Sequence, residues 1–363
     1  MFFMALFSAR AFAPGRWLLV GVILFALMYL AFLSRISIAR IGHNFITSSM
    51  AWVGYISVGV VSILFCAAVI KVLFDTLGFA ATKVTDSFSP SRRVFLSNTL
   101  GTALSMAVIP MSGYGVYRAV GRPKIKKVKI GKENMHSGLD GFRIVQISDI
   151  HAGLTIGMGT VERIVRMVNE LKPDAVLITG DLVDGSADYI ADYIKPLAGL
   201  KATYGSFFVT GNHEYYSGAA SWINLVDALG IKVLNNSNHI IDHNGASLMI
   251  AGIPDTHASQ FGFEAYDPAK AKQTDSHYDY SVIMSHRPEI AKEVAAQGYD
   301  LQLSGHTHGG QYFPWTVVIH LFHKYVRGLY KVDDMHLYVS QGTAYWGPPI
   351  RLGAESEITL ITL

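Results

Sequence analysis

Two rhythms of apolar and polar residues divide the chain. In the first third the apolar runs are long and uncharged. Trp17 to Ser34 carries no charged side chain, and a helix over it would rise about 27 Å, close to the hydrocarbon thickness of a bilayer. Asn44 to Ile70 is a second uncharged run, strongest from Ala51 onward. Val94 to Tyr117 is a third and weaker run, interrupted by Gly101, Pro110, Gly113 and Gly115. It reads as a crossing helix or as an interfacial, re-entrant segment. The expectation is a membrane region over residues 1–120 with three transmembrane helices, at 17–34, 48–70 and 95–117. A basic linker is expected over 121–140.

From Gly141 onward short apolar runs alternate with amphipathic stretches. Phe142–Ile147, Ala175–Thr179, Ser206–Thr210 and Lys232–Leu234 read as strands. Val161–Leu171 places Ile164, Val165, Val168 and Leu171 at helical spacing, and Tyr189–Leu200 and Trp222–Leu229 also read as helices. Further strands are expected at 239–242 and 247–250, joined through a tight turn at Asn244-Gly245. Others follow at 281–284, 301–303, 337–339 and 358–363. Such strand–helix units favour α/β layering, with the hairpin implying mixed sheets.

Composition sharpens this picture. The chain has 363 residues, room for one large domain plus an appendage. Its mean hydropathy of +0.30 comes from the first third. A single cysteine, Cys66, excludes an intrachain disulfide and a cysteine-based zinc site. The net charge of +3 is too small to imply a nucleic-acid partner. Ser91-Arg92-Arg93-Val94-Phe95-Leu96 resembles a twin-arginine export signal, although paired arginines also serve as ordinary cytoplasmic anchors. Both readings put Arg92 and Arg93 in the cytoplasm and the following domain outside. The basic stretch from Arg118 to Lys132 argues the other way, unless it touches anionic lipid on the outer side or the third run does not cross.

Five polar clusters each follow an apolar strand: Asp149-Ile150-His151, Gly180-Asp181, Gly211-Asn212-His213-Glu214, Ser285-His286 and Gly305-His306-Thr307-His308-Gly309. Open α/β sheets gather their sites at the C-terminal edge of the strands, so ligands distant in sequence would meet there. Asp149, His151, Asp181, Asn212, His286, His306 and His308 are seven hard or borderline ligands, about what two divalent ions of the Mn, Fe, Zn or Co kind need. Two ions a few ångströms apart are a device for displacing a group from phosphorus. The rival reading, scattered polar loop caps, requires five coincidences in order.

These motifs, with Gly180-Asp181-x-x-Asp184 and the later Gly309-Gly310-Gln311 and Pro349-Ile350-Arg351-Leu352-Gly353, resemble the calcineurin-like metallophosphoesterases, in particular their bacterial membrane-associated or exported branch. The resemblance runs from about Arg143 to the C-terminus. It implies two mixed β-sheets packed face to face and flanked by helices, over residues 141–363. It also implies that Asp149, His151 and His308 hold one ion, that Asn212, His286 and His306 hold the other, and that Asp181 bridges them. His213, left without a metal, would donate to a phosphoryl oxygen or protonate the leaving group; otherwise it supports the ligands from behind. Asp184 would orient His213 or simply cap its loop. The family's usual Pro-Glu before the final strand is replaced by Ala354-Glu355-Ser356-Glu357. Phe313, Trp315, Tyr345 and Trp346 would line an apolar groove, anchor the domain at a bilayer surface, or fill ordinary core. The expected activity is hydrolysis of a phosphodiester or pyrophosphate of a lipid-like substrate. The expected location is the bacterial inner membrane, multi-pass, with the catalytic domain extracytoplasmic. The alternatives are a membrane-tethered phosphomonoesterase and a non-enzymatic membrane regulator with a structural metal site.

Overall fold

The computed structural model describes residues 1–13, 15–41, 44–84, 89–131 and 135–363. The chain forms two compact units, residues 1–118 with 347–352, and residues 119–346 with 353–363.

The first unit is built from four helices, α1 (Phe2–Phe12), α2 (Trp17–Ile41), α3 (Phe45–Val84) and α4 (Pro90–Val120). Three of them contain apolar stretches long enough to cross a membrane: Trp17–Ser34, Phe45–Ala81 and Pro90–Val120. Pro110 lies inside α4, which nevertheless runs through it. The weak third run is therefore one helix. At Gly54 an added Cβ would overlap the backbone of Leu30 and Ala31. A small residue there lets α2 and α3 approach closely, as apolar helices in lipid require. The short α1, absent from the sequence expectation, packs on α2 and α3 through Ala5 and Met4.

The second unit stacks two sheets. The strands are β1 (Lys124–Lys129), β2 (Arg143–Ile147), β3 (Ala152–Gly153), β4 (Ala175–Thr179), β5 (Val183–Asp184), β6 (Ser206–Val209), β7 (Lys232–Val233), β8 (Ser237–His243), β9 (Ala246–Gly252), β10 (Tyr280–Met284), β11 (Leu301–Ser304), β12 (Gly328–Val332), β13 (Met335–Val339) and β14 (Glu357–Thr362). The first sheet has the order β1-β14-β2-β4-β6-β7 and the second β12-β13-β11-β10-β9-β8. Both are mixed: β2, β4, β6 and β7 run parallel while β14 is antiparallel to β2, and β9, β10, β11 and β13 run parallel while β8 and β12 are antiparallel edges.

The stretch read as a basic linker is corrected here. Residues 124–129 form β1, paired in parallel with β14. Its lysines face outward while Ile125 and Val128 pack partly inward. Edge strands of this kind carry lysine because charge discourages further pairing. Lys132 lies outside the described residues.

Alternation along the strands builds four layers, helix, sheet, sheet and helix, the outermost helices on the second sheet contributing Ala271, Ala291 and Val294. Ile144, Leu177, Phe207 and Val209 of the first sheet meet Leu248, Val282, Met284 and Leu303 of the second in the central core. Val145, Ile147, Ile178 and Phe208 point the other way. They pack beneath helices α5 (Met158–Glu170), α6 (Ala187–Ile194) and α8 (Ala219–Ala228), which contribute Val161, Ile164, Val168, Ile190 and Trp222. A further helix, α7 (Asn212–Tyr216), follows β6 directly. The Asn244-Gly245 turn has both central residues at positive φ, 49° and 77°, as a tight hairpin needs.

Candidate metal centre

Every polar cluster sits just beyond a strand end, after β2, β4, β6, β10 and β11. Parallel neighbours bring those ends to one edge, and the side chains meet there. Asp149, His151 and His308 offer ligand atoms within 4.8 Å of one another, and so do Asp181, His286 and His306. His151 Nε2 is 3.0 Å from His308 Nε2, and His308 Nε2 is 3.4 Å from Asp149 Oδ1. Asp181 Oδ2 lies 3.1 Å from His286 Nε2 and 3.8 Å from His151 Nε2, between the two trios. Asn212, buried at the start of α7, touches the second trio indirectly: Arg287 Nη2 donates to Asn212 Oδ1 at 3.2 Å and Arg287 Nη1 lies 3.0 Å from His306 Nε2.

The backbone is bent to make this convergence. Asp149, His151, Asp181, His306 and His308 all have φ between 51° and 73°. Such values are sparse for residues other than glycine and concentrate where function holds them. Small neighbours make the room. A Cβ on Gly211 would collide with the Asp181 carboxylate, and one on Gly305 with Ser148 Oγ and the Asp149 carboxylate.

Electrostatics fits an ion-binding role. Burial holds His151 at about 3 and keeps its imidazole neutral. Burial, with His286 nearby, likewise depresses His306 well below the ordinary value. Burial pushes Asp149 up to about 6. Burial also pulls His286 down, but the neighbouring Asp181 overrides it and raises the imidazole to about 10. His286 Nδ1 lies 2.8 Å from the Thr179 carbonyl, and donation there leaves Nε2 facing Asp181. A lone pair aimed at a buried carboxylate requires positive charge between them, either a proton or a metal ion. His151 Nδ1 and His306 Nδ1 are buried without a hydrogen-bond partner, and His286 Nε2 faces the Asp181 carboxylate. These residues therefore suit divalent ions, through neutral imidazoles and carboxylates.

A third trio by the same measure, His151, Asp184 and His213, overlaps the first, and in it His213 Nδ1 is 2.9 Å from Asp184 Oδ1. Burial pulls this imidazole down, but the bond to Asp184 and the nearby Asp181 prevail, and its pKa lies above the ordinary value. The ring is 5.4 Å from Tyr216 and 5.6 Å from Trp346, both substantially exposed. Of the four aromatics expected around the site, Trp346 is at its edge. Tyr345 is core, with its hydroxyl donating to the Thr155 carbonyl. Phe313 and Trp315 are exposed.

Two contributors escaped the sequence reading. Glu214 accepts from the backbone N–H of Gly211, Asp181, Leu182 and Val183 at 2.6, 3.0, 2.7 and 3.3 Å. It ties the loop carrying Asp181 to the one carrying Asn212. Its place in Gly211-Asn212-His213-Glu214 marked it, but glutamate at that helix position reads as a cap. Arg287 is pinned by Asp255, with Nε donating to Oδ2 at 3.0 Å. Its only sequence signal was adjacency to His286.

Residues 142–310 match the family model described as calcineurin-like phosphoesterase. A Danio rerio protein named "Transmembrane protein with metallophosphoesterase domain" is 38% identical over 259 residues, covering 69% of this chain and 59% of its own length. An "Uncharacterized metallophosphoesterase" of Helicobacter pylori (strain ATCC 700392 / 26695) is 34% identical over 301 residues, 82% of this chain and 79% of its own. Among solved structures, a 5'-nucleotidase precursor from Thermus thermophilus has a TM-score of 0.39 at 16% identity, covering 61% of this chain and 54% of its own.

Proposed function

Because the chain belongs to the calcineurin-like phosphoesterase family, we propose that it is a membrane-associated hydrolase of phosphoesters whose centre takes two divalent ions. Asp149, His151 and His308 would hold one, and Asn212, His286 and His306 the other, with Asp181 shared. When bound, such a pair supplies Lewis acidity toward phosphoryl oxygens and an activated water. The observation that carries this reading is two largely buried trios of carboxylate and imidazole side by side, with Asp181 of one reaching within 3.8 Å of His151 in the other.

The remaining residues divide the work. His213, kept basic by Asp184, donates a proton to the departing oxygen. Arg287 has a constrained guanidinium. Were His306 to hold an ion through Nε2, its contact with Nη1 would be lost; were it to do so through Nδ1, Nε2 would carry the proton and two donors would face each other. In both cases Nη1 turns to another acceptor while Asp255 still anchors Nε, and a phosphoryl oxygen is the natural one. Trp346 and Tyr216, both beside His213, offer apolar contact to the alcohol portion of the substrate.

The substrate we favour is a phosphodiester or pyrophosphate borne by a lipid-like molecule, supported by the exposed aromatics and by the apolar helices of the same chain. The Arg287 cation favours a second reading, a phosphomonoesterase, because a dianion gains more from added positive charge. Elemental analysis and turnover test both together. The purified protein should hold two ions per chain and hydrolyse a bis-aryl phosphodiester faster than the matching monoester. For lipid diesters KM should fall about fourfold per methylene, from roughly 0.8 kcal/mol of burial each. A KM indifferent to chain length removes the lipid substrate, a monoester preference selects the second reading, and a firm stoichiometry of one or none removes the dinuclear centre.

A further inference from the structure

We infer that the segment following the His306-His308 motif, residues 313–322, is a bilayer-insertion element that seats the catalytic unit on a lipid surface. The segment reads Phe-Pro-Trp-Thr-Val-Val-Ile-His-Leu-Phe. It forms a short helix, Trp315–Val318, continued by a tighter turn, Ile319–Leu321, and neither contains a buried residue. Val317 is 61% exposed, Leu321 80% and Phe322 76%, with Phe313 and Trp315 also above 40%. A soluble surface rarely gathers five large apolar side chains within ten positions.

The occupant is a bilayer, on three grounds. The same chain carries three helices able to cross a membrane, so lipid is held permanently within reach. Residues 309–332 contain no aspartate or glutamate, while Lys324, Arg327 and Lys331 supply cations, and this asymmetry complements anionic headgroups. An apolar helix edge with a tryptophan among its exposed residues has the make-up of an interfacial anchor. The segment is also joined to the candidate centre. It starts five residues after His308, and the preceding Gln311 exchanges hydrogen bonds with the Trp346 backbone at both the amide and the carbonyl. Trp346 in turn stands 5.6 Å from His213. Lipid engaged by residues 313–322 is thereby presented next to the proposed proton donor. Insertion itself does not depend on the phosphoesterase reading.

The test uses the full chain reconstituted in phosphatidylcholine vesicles containing phosphatidylglycerol. Cys66→Ser removes the single cysteine, and Leu321→Cys or, as a control, the exposed Asp192→Cys then carries one environment-sensitive fluorophore. Nitroxides on the lipid acyl chains should quench the label at 321 several-fold more than the label at 192, and aqueous iodide should show the reverse order. A label at 321 quenched by iodide and not by the nitroxide lipids overturns the inference. So does a label shielded from both, which would mean that another protein surface covers the segment. Hydrolysis of a water-soluble aryl phosphoester by the same vesicles reports separately on the enzymatic reading.

Discussion

Replacing Glu214 by glutamine tests whether a single buried carboxylate shapes the metal-ligand loops. The wild-type side chain is fully buried and accepts four backbone N–H groups, from Gly211, Asp181, Leu182 and Val183. Glutamine has nearly the same volume, so no cavity opens. Its single carbonyl oxygen can satisfy about two of these donors, while its amide N–H₂ must face the others. Two buried N–H groups then lose their acceptor, at roughly 1–3 kcal/mol each, giving an expected loss of about 2–6 kcal/mol. In a unit of this size 1 kcal/mol moves the melting point by about 2–4 °C, so a drop of at least about 4 °C follows. Scanning the intrinsic fluorescence of detergent-solubilised protein, with the buried Trp222 as one reporter, measures it. The orphaned pair is either Gly211 and Asp181, which share Oε2, or Leu182 and Val183, which share Oε1; either lies in the loops carrying Asp181 and Asn212, so metal affinity should fall in parallel. A melting point within about 1 °C of wild type, together with unchanged metal content, would refute the argument that Glu214 holds these loops.

Other outcomes follow from neighbouring residues. His213→Ala should lower kcat by about 10²–10⁴-fold while leaving metal content intact; equal loss of metal would make His213 a ligand instead of a proton donor. As an acid, His213 acts in its protonated form, which the bond to Asp184 extends to higher pH than a free imidazole allows. The wild-type kcat should therefore fall as pH rises through that raised value, and His213→Ala should lack this limb. Arg287→Met should raise KM about 10–100-fold with kcat less affected, the size of a lost hydrogen bond to a charged group, whereas an unchanged KM and an unchanged inhibition constant for inorganic phosphate would deny it a phosphoryl contact. For topology, a C-terminal alkaline phosphatase fusion should be active and a cytoplasmic fluorescent reporter dark. The opposite pattern would put the catalytic unit inside the cell, as the lysines between Arg118 and Lys129 would prefer.

Much of the layered fold could be read from the chain because its strands are buried on both faces and therefore appear as uninterrupted apolar runs, such as Ala175–Thr179 and Tyr280–Met284. The elements that escaped are those with mixed exposure. In β1 the lysines mask Ile125 and Val128, and in β12 outward residues alternate with half-buried ones. For β1 the partner that turns this weak pattern into a strand is β14, more than 220 residues on, and no local signal contains that information; β12 pairs with its immediate neighbour β13 across Asp333-Asp334, and only its mixed exposure hid it. The candidate centre divides in the same manner. Residue type and strand-end position single out Asp149, His151, Asp181, Asn212, His286, His306 and His308, because metal chemistry restricts which side chains serve. Arg287 and Glu214 do their part through partners distant in sequence, Asp255 for one and the 181–183 backbone for the other. Their identities are ordinary and only the tertiary contacts give them meaning. The left-handed backbone at five of the seven candidate ligands carries the point further. Aspartate and histidine were chosen there against local preference, and the surrounding strands, Glu214 and the room left at Gly211 and Gly305 keep them in place. Conformations that the local sequence disfavours and the tertiary structure imposes are where a binding site, as opposed to a core, is expected to lie.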